Sequence, residues 1–496
     1  MEEYLIRWKG KEDGFVDAVN LIEASQLAST KEKAEKLLDK AVDVALTSIQ
    51  DNMTHFAHNL QGPIKTLYLL GIVLPVLMLV MLPLAGGFLN VGALPVILVF
   101  DVAIPIGVYM IARGVLAKRP GGVSRTNKDI FSIKLAKRKL AATFLSVIMF
   151  LLFATPFVIV AAGVVSLVGF NGFSQAVLFG LPDNPNIGTT VLNASILVIL
   201  GLGLSLAFYN WYIARGVLKL KTKVENIENQ FSSSIFQLGS RIEEGTPTEL
   251  AFGKVAASTR GTDVSGLFAL IDQNLRTKGM SLKDAIFNNA TGAAHMYPST
   301  IIHSILKLIV DGAKKSLKSV AESLLILSQY LRNMHTVSER LKDLLADTIS
   351  SMKMQASFMV ALITGIVVGL SVLIVQILVQ LATSLGKIGE LGATATEYGT
   401  DTAGAGAASN LMTLFSPENA IAPFVVQLTV GVYVIILVIL ITYLLTTVVY
   451  GPDVIRRRYA TAGNLLKSVL VYAVITFVSS RFLGGLAGKI ITSGTG

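Results

Sequence analysis

Seven stretches of this chain are long and apolar enough to cross a bilayer, and they decide most of what it can fold into. A crossing helix needs roughly 20 mostly apolar residues to span about 30 Å of hydrocarbon. Inside that layer every backbone polar group must be satisfied within the segment, which favours helices. The stretches are 66–85, 92–112, 142–162, 191–214, 357–382, 422–449 and 466–486, the last carrying Ser479, Ser480 and Arg481. Only 15% of the residues are charged against 52% hydrophobic, whereas soluble domains carry nearer a quarter charged. The absence of cysteine among the 496 residues excludes disulfides, cysteine-ligated zinc, iron–sulfur clusters and a thiol nucleophile. The first twenty residues lack an apolar core behind a basic start, so no signal peptide is expected.

The cations set the expected orientation. After the second stretch come Arg113, Lys118, Arg119, Arg125, Lys128, Lys134, Lys137, Arg138 and Lys139 against the single acid Asp129. After the fourth come Arg215, Lys219, Lys221 and Lys223, and after the sixth Arg456, Arg457 and Arg458. The alternate loops lack this bias: 163–190 has only Asp183, and 385–421 is net acidic through Glu390, Glu397, Asp401 and Glu418. Cationic loops stay in the cytoplasm, which places the N-terminus and the large central segment inside and the C-terminus outside. The net charge of +10 is then a topology signal, and no nucleic-acid partner is needed to explain it.

Between the fourth and fifth stretches the pattern is that of polar helices. Val224, Ile227, Phe231, Ile235, Leu238 and Ile242 recur at gaps of three or four, one helical face. Gly245 ends that helix. Thr246-Pro247-Thr248-Glu249 reads as a restart with Thr246 as cap and Glu249 closing a capping box. Ser281 opens another helix after Gly279, and a third follows Pro298 with Ile301, Ile305 and Ile309 on one stripe. A last helix from about Ser316 carries Leu317, Val320, Leu324, Leu327, Leu331 and Met334 toward the fifth stretch. Nothing alternates at period two, so an antiparallel helical bundle is expected. At the N-terminus Ala34, Leu37, Leu38, Ala41, Val44, Met53, Phe56 and Leu60 mark an amphipathic helix ending at Pro63. The fold class is therefore all-α: a polytopic membrane protein of about seven spans with a cytoplasmic helical bundle. The expected divisions are 1–65, a hairpin 66–112, a basic loop 113–140, a hairpin 141–214, the bundle 215–354 and a three-span region 355–496. The hexapeptide Ile111–Leu116 recurs as Ile213–Leu218, which suggests that the two hairpins are duplicates.

Few residues carry chemistry. The run Gly484-Gly485-Leu486-Ala487-Gly488-Lys489-Ile490 has the wrong spacing for a phosphate loop and lacks its Ser or Thr. His55 and His58 share a face without a third ligand. No catalytic residue, cofactor site or metal site is expected, and the chain does not read as an enzyme. Asp101, inside the second stretch, is the exception. A carboxylate there costs about 2.5–3.5 kcal/mol on insertion scales, so it needs protein or water around it. It serves either as a helix–helix hydrogen bond, helped by backbone groups that Pro105 frees, or as an intramembrane functional site. Arg481 either snorkels outward or partners Asp101. Gln376, Gln380 and Gln427 either line a groove or bond between helices. The cations Lys137, Arg138, Lys139, Arg456, Arg457 and Arg458 are topology determinants and lipid contacts, with docking of a cytoplasmic partner as the second reading.

The central segment resembles a known family. Phe236-Gln237-Leu238-Gly239, the Glu244-Gly245-Thr246-Pro247 turn with Ala251, Gly279-Met280-Ser281-Leu282-Lys283-Asp284-Ala285 and Tyr297-Pro298 look like the type II secretion system F domain. The likeness is greatest to its archaeal branch, the platform proteins of archaeal type IV pili and the archaellum. It covers about residues 231–345, with 1–65 resembling a truncated first copy. Where bacterial relatives carry Gly-Glu-x-x-Gly this chain has Asp311-Gly312-Ala313-Lys314-Lys315, so a cation-binding role tied to that element is not expected. The resemblance implies a multi-pass platform in the cell membrane with no chemistry of its own. Its implied partners are a cytoplasmic hexameric secretion ATPase, pilin-like subunits, membrane lipids and a second copy in a homodimer. The rival reading is a secondary transporter, which calls for charged or broken helix pairs at repeat-related positions; opposite Asp101 the second hairpin has only Leu200-Gly201-Leu202-Gly203-Leu204.

Overall fold

The computed structural model describes residues 13–89, 92–117, 129–179, 187–397 and 421–494, apart from 289, 298 and 315. Those residues form helices and turns, with no strand among them. Seven of the helices are long and apolar enough to cross a membrane. By contacts the chain divides into two units: 1–60, 118–137 and 215–347 in one, and 61–117, 138–214 and 348–496 in the other.

The first unit contains α1 (Asp13–Gln26), the start of α2 (Lys31–Tyr68), the end of α7 (Ile187–Glu243), and α8 (Thr248–Ser258) through α13 (Leu317–Leu344). Between the last two lie α9 (Ser265–Arg276), α10 (Leu282–Phe287), α11 (Ala293–Met296) and α12 (Thr300–Ala313). The expected stripe on α7 is its core: Ile227, Phe231, Ile235, Leu238 and Ile242 are buried against α8, α9, α12 and α13. Phe268 sits at the centre, its ring 6.0 Å from that of Phe231 and 5.9 Å from that of Phe252. Truncating a fully enclosed aromatic removes apolar burial and leaves a cavity. Phe268→Ala is expected to destabilise this unit by about 3–5 kcal/mol, read as a lower protease-resistance midpoint; an unchanged midpoint would place Phe268 outside the core.

The breaks between these helices follow their glycines. Gly245 and Gly279 have φ of 87° and 61°, a region where side chains are strained. Ser281 caps α10 by accepting from Asp284 N at 3.2 Å, and Ser299 caps α12 by accepting from Ile302 N at 3.3 Å. The buried Asn274 fastens α9 to the next segment, donating through Nδ2 to Ala285 O at 3.1 Å and Thr291 O at 2.9 Å. Burial and the nearby Asp263 push the Tyr297 phenol above its ordinary value.

Two expectations fail here. Thr246 is not the cap: α8 begins at Thr248 with Pro247 at its N-cap, which makes no side-chain cap bond. Pro247 is extended (ψ 141°), and its carbonyl accepts from Leu250 N and Ala251 N. The N-terminal helix does not end at Pro63; α2 runs through it to Tyr68. Proline deprives the carbonyl four residues back of a donor, and here that residue, Asn59, is exposed, where solvent can replace the bond. The last helix runs toward the fifth stretch with one interruption: α13 stops at Leu344 and α14 (Ala346–Met354) restarts after Leu345.

The second unit is built around α16 (Pro423–Tyr450), which packs against α3 (Leu74–Leu89), α5 (Ile104–Ala117), α15 (Val360–Glu397) and α17 (Val454–Gly494). Three π-helical turns interrupt these helices: π1 at Leu69–Val73, π2 at Leu98–Ala103 between α4 (Ala93–Ile97) and α5, and π3 at Gln355–Met359. Glycines let the helices approach closely. A side chain at Gly203 of α7 would strike Val469 of α17, and one at Gly431 of α16 would meet Ile199. The Leu-Gly-Leu-Gly-Leu run is thus a packing surface. By contrast α6 (Asp129–Phe179, broken at Gly169, φ 78°) leaves most of its apolar surface exposed. The repeated hexapeptides agree in burial at their Ala, Arg, Val and Leu positions, with Ala112 and Val115, like Ala214 and Val217, buried and Arg113 and Arg215 exposed. They differ at the other two, Ile213 being buried where Ile111 is half-buried and Gly216 half-buried where Gly114 is exposed.

Candidate functional site

Asp101 lies in π2, half-buried, with Oδ1 enclosed and no hydrogen-bond partner among the described residues. A proline explains the turn. Pro105 has no N–H for the carbonyl of residue 101, and the ladder slips to i→i−5, with Ile104 N donating to Val99 O. The same happens on the first crossing helix, where Pro75 leaves the Gly71 carbonyl without its α-helical donor. Tyr433 of α16, fully buried, donates its hydroxyl to that Gly71 carbonyl. Asp101 belongs to π2, which packs against α16, the helix that carries Tyr433. So π1, π2 and α16 bring together a freed carbonyl, a phenol and a carboxylate in apolar surroundings. Near Asp101, Leu98, Val99 and Val102 are exposed at 53%, 41% and 45% while the adjacent Phe100 is buried, so π2 presents an uncovered apolar face beside the carboxylate.

A second polar region runs along α15, α16 and α17. Ser479 Oγ donates to Gly365 O at 2.8 Å, and Tyr472 Oη donates to the backbone carbonyl of Gln427 at 3.0 Å. Gln427 is 0% exposed, yet neither atom of its side-chain amide has a partner among the described residues. Gln427 thus makes its interhelical bond through the backbone, not the side chain. Gln376 lies against Gly484.

The cations fall at two places. The side chains of Lys137 and Arg138 lie outside the described residues, and Lys139 is exposed. Arg456, Arg457 and Arg458, at the start of α17, each stack on a tyrosine: Arg456 over Tyr450 at 4.2 Å, Arg457 over Tyr443 at 5.2 Å and Arg458 over Tyr209 at 5.9 Å. Tyr443 in turn meets Tyr109 at 6.2 Å. Asp453 caps α17, accepting from Ile455 N and Arg456 N. Arg481 is not the partner of Asp101; its guanidinium lies 5.7 Å from the Phe477 ring. Among the described residues no three His, Cys, Asp or Glu side chains stand together to hold a metal.

Sequence periodicity has no signal for Tyr433, because it sits in a continuously apolar helix. Pro105 reads as freeing backbone groups; Pro75, which no reading of the sequence singles out, is the signal that could have found the Gly71 carbonyl. Searches of family models, curated proteins and solved structures find nothing that matches this chain.

Proposed function

We propose that the chain is an integral-membrane platform protein of an archaeal type IV pilus, archaellum or type II secretion-like machine. A cytoplasmic hexameric secretion ATPase docks on its basic segments and polar helical unit, and the ATPase cycle moves the platform so that pilin-like subunits leave the bilayer for the filament. It sits in the cell membrane with its N-terminus and polar unit inside, works without a cofactor and catalyses nothing itself. The observation that carries this reading is where the family-like residues lie. Gly245 and Gly279 are the left-handed breaks between helices, Ser281 is the cap of α10, and Tyr297 closes over Gly266 at the start of α9. A motif that builds the joints of a helical unit is what a shared fold requires. Asp101 supports the rival reading, a secondary transporter, because unpartnered carboxylates inside spans also mark ion pathways.

The test is binding. Purified protein should retain a secretion ATPase, and Lys137→Glu, Arg138→Glu and Lys139→Glu together should weaken that binding about tenfold, more so at low salt, because exposed charges are screened over roughly 10 Å at 0.1 M. Failure of any such ATPase to co-purify, together with solute flux through the isolated protein in vesicles, would favour the transporter.

A further inference from the structure

We infer that Gln427 of α16 and Ser468, Tyr472 and Thr476 of α17 form a buried site for ordered water inside the membrane-spanning unit. This holds whether the chain is a platform or a transporter.

The place is set by two helices. Ser468, Tyr472 and Thr476 stand every fourth residue on α17, so each lies one turn from the next. All three are 0% exposed, as is Gln427. The Tyr472 hydroxyl donates to the Gln427 backbone carbonyl at 3.0 Å, so the glutamine meets the middle of this row across the α16–α17 seam. Among the described residues, Gln427 Oε1 and Nε2, Ser468 Oγ and Thr476 Oγ1 have no hydrogen-bond partner. The common arrangement in this unit is different. Ser146 donates to Ala142 O at 2.7 Å, Thr364 to Val360 O at 2.6 Å and Thr446 to Thr442 O at 2.8 Å. A carbonyl one turn back on the same helix is the nearest partner for a buried hydroxyl, yet Ser468 and Thr476 forgo it. One turn before Ser468 the seam pairs directly, Asn464 Nδ2 donating to Thr442 Oγ1 at 3.0 Å.

The chemistry fits water. The amide nitrogen can only donate, the amide oxygen can only accept, and the hydroxyls do either. A water molecule does both, and a buried one commonly makes about three bonds to polar groups that would otherwise go unsatisfied. A cation would satisfy the oxygens alone and leave Gln427 Nε2 unpaired. Neither α16 nor α17 carries an acid to neutralise one. An apolar occupant would leave all four atoms unsatisfied, at the cost that buried polar groups incur without partners. The site also gives Gln427 its role: fully enclosed, it serves the seam between two helices and lines no groove open to a passing one.

The experiment is X-ray radiolysis of the full-length protein in lipid discs, which splits water into hydroxyl radicals that oxidise the nearest ring, read by mass spectrometry. After correction for the intrinsic reactivity of each ring, Tyr472 should be oxidised several-fold faster than Phe268, which is also fully buried but lies in an apolar core. Gln427→Leu with Thr476→Val nearly keeps the shapes and removes the unpaired atoms, an exchange that is close to neutral for stability. It should bring Tyr472 down to the Phe268 rate. Equal rates in the parent protein overturn the site, as does a variant in which Tyr472 stays fast. If the variant does not fold, the comparison of the two rings in the parent protein decides alone. Melting should be the same in sodium chloride and choline chloride at equal ionic strength; a higher melting temperature in sodium would make the occupant a cation and overturn the proposal.

Discussion

Gly369→Leu is expected to prevent the second unit from assembling, with no folded protein recovered or a melting temperature far below the parent. Gly365 and Gly369 are four residues apart on α15 and both face α17, the small-residue spacing that lets membrane helices touch. A Cβ at Gly369 would lie 2.8 Å from the backbone carbon of Ser479, and one at Gly365 would lie 2.8 Å from Ile475 Cγ2. Backbone cannot rotate aside as a side chain can, so leucine would have to push the two helices apart. That breaks the Ser479–Gly365 hydrogen bond and unpacks the neighbouring contacts as well. The cost is at or above the upper end of the usual 1–3 kcal/mol for overpacking, plus about 0.6 kcal/mol for the lost interhelical bond. Two controls grade the result. Gly485→Ala meets nothing within 4 Å and Gly484→Ala meets its first neighbour at 3.4 Å, so both should melt close to the parent. If Gly369→Leu melts with them, the close crossing is wrong.

What could be read ahead of the structure was whatever one dimension determines. The bilayer demands some twenty apolar residues in a row, a signal that needs no partner, and all seven such stretches lie on long helices. The stripe from Ile227 to Ile242 was equally legible because burial of one face imposes its period on the sequence. Thr246 and Pro63 misled for a shared reason: each obeys a local rule that a neighbour overrides, Pro247 by taking the cap position and the exposed Asn59 carbonyl by tolerating a missing donor. The Asp101 site needed three dimensions. Nothing along the chain links Gly71 to Tyr433, 362 residues away, and only their prolines hint that two carbonyls lack donors. Gly365 and Gly369 show their spacing in sequence, but which helix they face is a property of packing. The tyrosines beside Arg456–Arg458 come from two helices, α7 and α16, far apart in sequence, so a basic run that reads as a topology signal proves to lie against rings.

Asp101→Asn is expected to abolish filament assembly while leaving the amount of folded protein and its melting temperature at parental values. Asparagine has nearly the same shape and can keep any hydrogen bond that aspartate makes to neighbouring helices. It removes only the negative charge. If Asp101 served packing alone, the substitution would be neutral or stabilising, since an ionisable group in hydrocarbon costs more than an amide. The geometry argues for more than packing: Oδ1 is enclosed without a partner, π2 interrupts the helix at this residue, and the flanking Leu98 and Val102 are uncovered. A carboxylate kept in that setting, on the platform reading, awaits a donor carried past it by a moving subunit. Filament counts by electron microscopy, beside immunoblots of the membrane fraction and a melting curve, separate the two cases. Parental filament numbers in Asp101→Asn would reduce Asp101 to a structural residue, whereas loss of filaments with a lowered melting temperature would assign the effect to folding. Glutamate at the same position keeps the charge on a longer stem, so Asp101→Glu should retain part of the assembly that Asp101→Asn loses.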